Sequence, residues 1–263
     1  PLAATIAPVP AVENPFRREP SPPESRLRWA GIELEASDHR ANRRLNAISI
    51  ILPAAGTVAA FTTLPVIQPS FTTLAIFVLS FALTGFGITL GLHRYFTHRA
   101  FSTSPVVIAA LAVFGTWSFQ GPIVRWVADH RRHHRFSDRE FDPHSPYWNE
   151  HGPIESKVDG FLHSHLLWMF TGLRSSEKRY AADIAKSKIA RFVSRFYWPV
   201  AASGILLPAA AGLAFGGASE MISCALWAGF VRIALLHQLT WSVNSFGHML
   251  GTRPAGAADE ARD

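Results

Sequence analysis

The chain has 263 residues, of which 17% are charged and 48% hydrophobic, and its mean hydropathy is +0.13. Charged residues fall well short of the roughly 25% of an average soluble domain, which excludes a disordered or fibrous chain and argues against an ordinary water-soluble enzyme. Cys224 is the single cysteine, so an intrachain disulfide and a cysteine-based zinc site are excluded, and a net charge of +6 stands beside twelve histidines.

Residues 1–46 are polar and proline-rich, with seven Lys/Arg facing six Asp/Glu. Such a stretch buries too little surface to offset ordering entropy, so 1–25 is expected to be disordered and 1–45 to form a polar, partly disordered segment. No apolar h-region opens the chain, and no secretory signal peptide is expected. Apolar runs follow at 47–67 and 71–92. Neither holds a charge, and each reaches the ~20 residues that cross a ~30 Å hydrocarbon core. Only Gln68, Pro69 and Ser70 separate them, which predicts a tight helical hairpin.

A weaker run at 105–119 is short for a span and fits an interfacial or buried helix. The segment 120–196 is polar and rich in His, Arg and Trp. Two more apolar runs occupy 197–217 and 219–241, the last interrupted by Glu220, Arg232 and His237. A backbone in lipid must satisfy its own hydrogen bonds, so all four runs are predicted helices. The predicted fold class is all-α: an integral membrane protein with four transmembrane helices in two hairpins and a cytosolic helical cap over 93–196. The membrane domain covers 46–263.

Charge orients this scheme. Segment 93–196 carries 15 Lys/Arg, whereas the loops at 68–70 and 218–219 carry none. The positive-inside rule places both termini and the histidine-rich segment in the cytoplasm, in a multi-pass protein. The basic balance then reflects topology. A nucleic-acid partner is not expected, because no basic face with a readable fold accompanies it.

The histidines group at one predicted membrane face. His93 and His98 lie in HRYFTH, His130, His133 and His134 in HRRHH, and Asn244 and His248 in NSFGH. At about 100° per residue, His130, His133 and His134 share an arc of ~100° on one helix. His93 and His98 stand ~140° apart on a straight α-helix, and converge only if their site lies between them or the helix bends. Imidazole is the commonest ligand for first-row metals, and a histidine pocket with few carboxylates suits a redox-active ion.

The chain resembles the membrane-bound fatty acyl desaturases of the stearoyl-CoA, delta-9-like type. The resemblance rests on GLHRYFTHRAF (91–101), WVADHRRHHRFSD (126–138), DPHSP (142–146), SHLLWMF (164–170) and TWSVNSFGHMLGTRP (240–254). It implies a four-span enzyme whose cytosolic cap holds two non-haem iron ions. These use O₂ and two electrons to introduce a cis double bond into a saturated acyl chain. By this resemblance His93, His98, His130, His133, His134 and His248 match iron ligands, and Asn244 matches an asparagine that contacts one iron through water. Gln120, Trp126, Thr240 and Trp241 match residues that kink the acyl tunnel. The implied partners are a fatty acyl substrate, carried as acyl-CoA or on another carrier, an electron-transfer protein of ferredoxin, rubredoxin or cytochrome type, and the lipid bilayer.

Two departures accompany the resemblance. The family carries a further HxxHH box after the fourth span, and this chain holds none. It still tracks the family through GTRPAGAADEARD, so the expectation is a truncated chain with an incomplete di-iron site and low or no activity. The family's acyl-CoA enzymes also carry Asn where this chain has Gly121 and Arg where it has Ala128. Those positions help hold the CoA head group, which leaves the acyl carrier open.

Other polar residues receive plainer readings. His144 is read as a structural or surface histidine, and His39 and His151 as solvated. His163 sits in a segment of mixed polarity, and His165 is read as a hydrogen-bonding support. His237 has two open roles, tunnel wall or helix–helix hydrogen bond. Arg232 either pairs with Glu220 or snorkels. Asp129 is read as a carboxylate that orients a histidine. Three alternatives stand beside the desaturase: a related di-iron hydroxylase, a zinc-moving multispan protein, and an inactive or regulatory desaturase-like protein. The zinc reading needs polar ligands in mid-span, and the first two runs have none.

Overall fold

The structure, a computed structural model, describes residues 23–33 and 36–252. Most of the expected disordered stretch at 1–25 and of the terminal GTRPAGAADEARD lies outside the described residues. Helix α1 (Glu24–Trp29) leads through strand β1 (Ile32–Glu33) to α2 (Ala36–Thr63). Helix α2 starts well before the apolar run at 47, because its polar turns dock on the cap. Arg43 Nη2 donates to the Thr171 carbonyl at 3.0 Å and Asn46 Nδ2 to that of Met169 at 2.6 Å. It stops at Thr63 rather than 67, since Pro65 disfavours helical geometry in Leu64 and offers no N–H.

Helix α3 (Phe71–Phe86) is capped by Ser70, whose Oγ accepts from the Thr73 amide at 3.1 Å. It runs without a break into a π-helical stretch, Gly87–Thr97, bonded from residue i to i+5. Helix α4 (Pro105–Thr116) crosses that stretch backbone to backbone. A Cβ on Gly87 would stand 2.2 Å from the Gly115 nitrogen and 2.3 Å from the Phe114 carbonyl carbon. The apolar run at 105–119 is thus a short packed helix, as its length suggested.

Helix α5 (Ile123–Phe136) carries HRRHH. The cap continues through β2 (Trp148–Asn149), β3 (Gly152–Pro153), α6 (Lys157–His165), a 3₁₀ turn (Leu167–Phe170) and β4 (Arg174–Ser175). The short helices α7 (Glu177–Tyr180), α8 (Ala182–Lys186) and α9 (Lys188–Arg195) complete it. Strand β1 pairs antiparallel with β4, and β2 with β3. These two-residue ladders are a small departure from the expected all-α fold. Leu92, Phe96, Ile123, Val127, Ile184 and Val193 form the core that seats α5 between the π-helical stretch and α8–α9.

Helix α10 (Tyr197–Cys224) reverses direction at Gly217, whose φ of 74° lies in the left-handed region that glycine tolerates. Gly212 lies against the backbone of Glu220, and Gly229 against Ile205, so the two arms run antiparallel. The second arm passes through a π-helical segment (Ala225–Val231) into α11 (Arg232–Met249). Among the described residues three helices are long and apolar enough to cross a membrane: His39–Thr63, Phe71–Thr97 and the 53-residue Tyr197–Met249, which contains the reversal.

Two charges in the apolar runs are placed differently from expectation. Arg232 neither meets Glu220 nor snorkels. It is fully buried, donating from Nε to the Ala228 carbonyl (2.7 Å), from Nη1 to Thr84 Oγ1 (2.5 Å) and from Nη2 to the Gly204 carbonyl (2.9 Å). A buried guanidinium must satisfy its donors locally, and three helices supply the acceptors. Glu220 instead accepts from the Ser70 and Thr73 hydroxyls, each at 2.6 Å, and ties the two inter-helix loops together.

The Gly87 contact gives a direct test. Gly87→Ala should lower stability by about 1–3 kcal/mol through overpacking, because backbone atoms on α4 cannot rotate away. Thermal unfolding in detergent micelles checks this.

A histidine-lined candidate metal centre

The π-helical stretch answers the register problem of the first histidine pair. The His98 amide donates to the His93 carbonyl at 3.1 Å, an i+5 bond that stacks His98 one turn above His93. Their Nε2 atoms lie 3.1 Å apart. On α5, His130 and His134 stand one α-helical turn apart, with Nε2 atoms also 3.1 Å apart. The two pairs face each other: the His93 and His130 rings are 4.9 Å apart, and those of His98 and His134 4.6 Å.

Arg131, between the two α5 ligand positions, clamps the pairs in register. Its Nε and Nη2 donate to the Thr97 carbonyl at 3.1 and 2.9 Å, and Nη2 also to that of Phe96 at 3.1 Å. Nη1 donates to Asp183 at 2.7 Å, and Arg99 grips the same carboxylate. Burial alone would raise the Asp183 carboxyl, but its bonds to Arg131 and Arg99 outweigh burial and hold it well below the usual range.

One ligand atom from each of His93, His98, His130 and His134 lies within 4.8 Å of the others. An ion held at about 2.1 Å by imidazole brings adjacent nitrogens to about 3.0 Å, close to both observed pairs. The donor set therefore fits a first-row metal. Burial, followed by the charges of His134, His133 and His93, holds His130 well below the ordinary imidazole value. Its lone pair is thus available at neutral pH, as metal binding requires.

His133 departs from this group although it shares the helix arc. It turns to Asp142, whose two oxygens accept from His133 Nδ1 at 3.0 Å. His133, Asp142 and His144 form a second group with ligand atoms within 4.8 Å, and the His248 ring lies 5.1 Å from that of His133. Asp138 Oδ2 lies 3.0 Å from His248 Nδ1. The single arc expected on α5 is thus divided between two groups.

Burial would raise the Asp142 carboxyl, yet the charge and hydrogen bond of His133, with His144 and the Asp138 amide, keep it well below the carboxylate range. Asp142 and Asp138 orient histidines, a role the sequence reading gave to Asp129. Asp129 accepts instead from Ser175 Oγ at 2.6 Å and pairs with Arg125 at 3.7 Å, because it sits about 100° round α5 from His130. His144 is not a surface residue. It is buried, and its ring stacks on that of His133 at 4.2 Å. Its DPH context was the available signal.

A cavity of about 680 Å³ reaches this centre, within the range of small-molecule sites. His93, His130 and Asn244 line it, as do Gln120, Trp126, Thr240 and Trp241. Trp126 Nε1 donates to Gln120 Oε1 at 3.1 Å, and Gln120 Nε2 to Thr240 Oγ1 at 3.0 Å. This chain of bonds joins α5 to α11 across the cavity wall. Phe81, Phe86 and Ile88 make its far part apolar.

His237 fills both of its open roles. It donates from Nε2 to the Ser118 carbonyl at 2.7 Å and also lines the cavity. His165 hydrogen-bonds Ser245 and Gln238 on α11, as expected of a support. His39 is half-buried, the His151 side chain is 40% exposed as expected of a solvated residue, and His163 is buried in the cap.

Histidines that converge beside a largely apolar cavity, in a chain with long apolar helices, define a helical protein of membrane type with a group of residues able to hold a metal ion. A family model described as fatty acid desaturase matches residues 68–261, and the chain belongs to that family. It is 35% identical over 215 residues to the hex-5-enoyl-[acyl-carrier protein] acetylenase of Moorena producens, covering 81% of this chain and 67% of that protein. It is 34% identical over 180 residues to the sn-1 stearoyl-lipid 9-desaturase of Anabaena variabilis, covering 67% and 59%. Over another 180 residues it is 31% identical to the acyl-CoA desaturase of Ovis aries, covering 66% and 47%. The chain thus spans about half to two thirds of these relatives' lengths.

Asp142→Ala should weaken metal binding about 10–100-fold by freeing the His133 ring. Equilibrium metal titration of wild type and variant, with the folded state checked by circular dichroism, measures the loss.

Proposed function

We propose that this chain acts in a membrane-bound fatty acyl desaturase that takes two hydrogens from a saturated acyl chain, using O₂ and two electrons and releasing water. The observation that carries the reading is the four-histidine group beside a largely apolar cavity. His93, His98, His130 and His134 would hold one iron, and His133 and His248 would contribute to a second, with Asn244 beside it. Bound iron supplies an oxidant strong enough to break an unactivated C–H bond, which no side chain provides.

The protein's own residues set where that chemistry falls. Gln120, bridged to Trp126 and Thr240, fixes the bend of the wall, so one methylene pair lies against the centre. Trp126 stacks on His130 at 4.8 Å and couples wall position to ligand position. Trp241, stacked on His237 at 4.8 Å, lines the same cavity.

The membrane arrangement belongs to the same proposal. The reversal at Gly217 makes the long third element two crossings, giving four spans in two hairpins. Both termini and the histidine boxes then face the cytoplasm, by the excess of Lys/Arg in 93–196. The basic cap suits an acidic electron carrier of ferredoxin, rubredoxin or cytochrome type. The substrate is an acyl chain on a carrier. Ala128 is fully buried in the cap core, while Arg125 and Asp129 line the cavity, so the polar groups near the carrier differ from the CoA pattern.

Lipid profiling of a desaturase-deficient cell expressing the full-length gene tests the proposal. Cis-monounsaturated acyl chains are expected, and His130→Ala should abolish them. Hydroxylated chains as the sole product would overturn the desaturase reading. Gln120→Leu cuts the wall bridge and should slow turnover about 10²-fold or spread the double bond over neighbouring positions. Mass spectrometry of derivatised products locates the bond.

A further inference from the structure

A second cavity, of about 340 Å³, lies in the cap behind the histidine centre. Arg132 of α5, His163 of α6 and Trp168 of the 3₁₀ turn line it. Arg132 is 2% exposed and His163 8%. Arg132 Nε and Nη1, His163 Nε2 and Trp168 Nε1 are all buried without a hydrogen-bond partner among the described residues.

Asp129 and Asp142 lie close enough for their charges to act on Arg132, but neither accepts from its Nε or Nη1. Glu140 accepts from Arg26 at 2.6 Å, Glu150 lies 3.8 Å from His151, and Asp142 accepts from His133 and from the amides of Asp138 and His144. The guanidinium and the indole N–H can only donate. A buried cation with open donors calls for an acceptor-rich, negatively charged occupant, and the planar guanidinium fork matches an oxyanion edge.

We infer that this cavity is an oxyanion site, taking a phosphate-type group held by Arg132, Trp168 and His163. Asp142 lines the same cavity and bonds His133, so an anion there sits next to the support of the second histidine group. Trp168 lines both cavities. The phosphate group comes either from solution or from the substrate's carrier.

Thermal unfolding of the full-length protein in detergent micelles tests the site, with inorganic phosphate, coenzyme A and chloride compared at equal ionic strength. Phosphate at ten times its dissociation constant should raise the midpoint by about 3–6 °C over chloride. Arg132→Gln should remove that rise. His163→Gln and Trp168→Phe should reduce it, and they keep the test open if the arginine variant does not fold. Lys186→Gln on exposed α8 should leave it unchanged. A rise with coenzyme A beyond that with phosphate supports the site with the carrier as its source, and a rise with phosphate alone supports a free anion. Equal midpoints in phosphate and chloride, or a rise that survives all three pocket substitutions, would overturn the inference and leave a water-filled cavity.

Discussion

The Arg131 clamp is the interaction on which the site depends. Two histidine pairs on separate helices must meet within a few ångströms, and backbone carbonyls at the end of the π-helical stretch supply the reference point. Arg131 reads that point directly, through Phe96 and Thr97, while standing between His130 and His134 in sequence. A guanidinium suits this because its donors are fixed in one plane and bind several acceptors together. The π-helical stretch is itself held by the close approach of Gly87 to α4.

Around that clamp, the apolar helices form a scaffold whose charges, Arg232 and Glu220, are held by hydrogen bonds. Arg232 joins three helices by filling its donors with carbonyls and a threonine hydroxyl. Glu220 fastens the opposite end through Ser70 and Thr73. Between these ends the cavity runs past Phe81, Phe86, Trp126 and Trp241 to His93 and His130.

Much of this was legible in the sequence, for identifiable reasons. Charge-free runs of span length marked the long helices, because lipid leaves the backbone few options. The spacing of His130 and His134 placed both on one helix face. Gln120, Trp126, Thr240 and Trp241 were named by resemblance, and the structure brings them to one cavity wall. The convergence of His93 and His98, expected only if their site lay between them or the helix bent, comes from an i+5 turn that periodicity does not reveal. The misreadings are equally physical. Asp129 looked like the histidine partner by proximity in sequence, but helix phase turns it towards Ser175 while Asp138 and Asp142 return from the following loop. Arg232 was read as pairing with Glu220 or snorkelling, yet the reversal at Gly217 and the packing of Gly204 offered it carbonyls instead.

The central claim is that His93, His98, His130 and His134 bind one metal as a set. X-ray absorption at the iron edge of the iron-loaded full-length protein addresses it most directly. The expected spectrum has a first shell dominated by imidazole nitrogen, with ring scattering that weakens in both His98→Ala and His134→Ala. An oxygen-dominated shell, or a spectrum unchanged in those variants, would contradict the account.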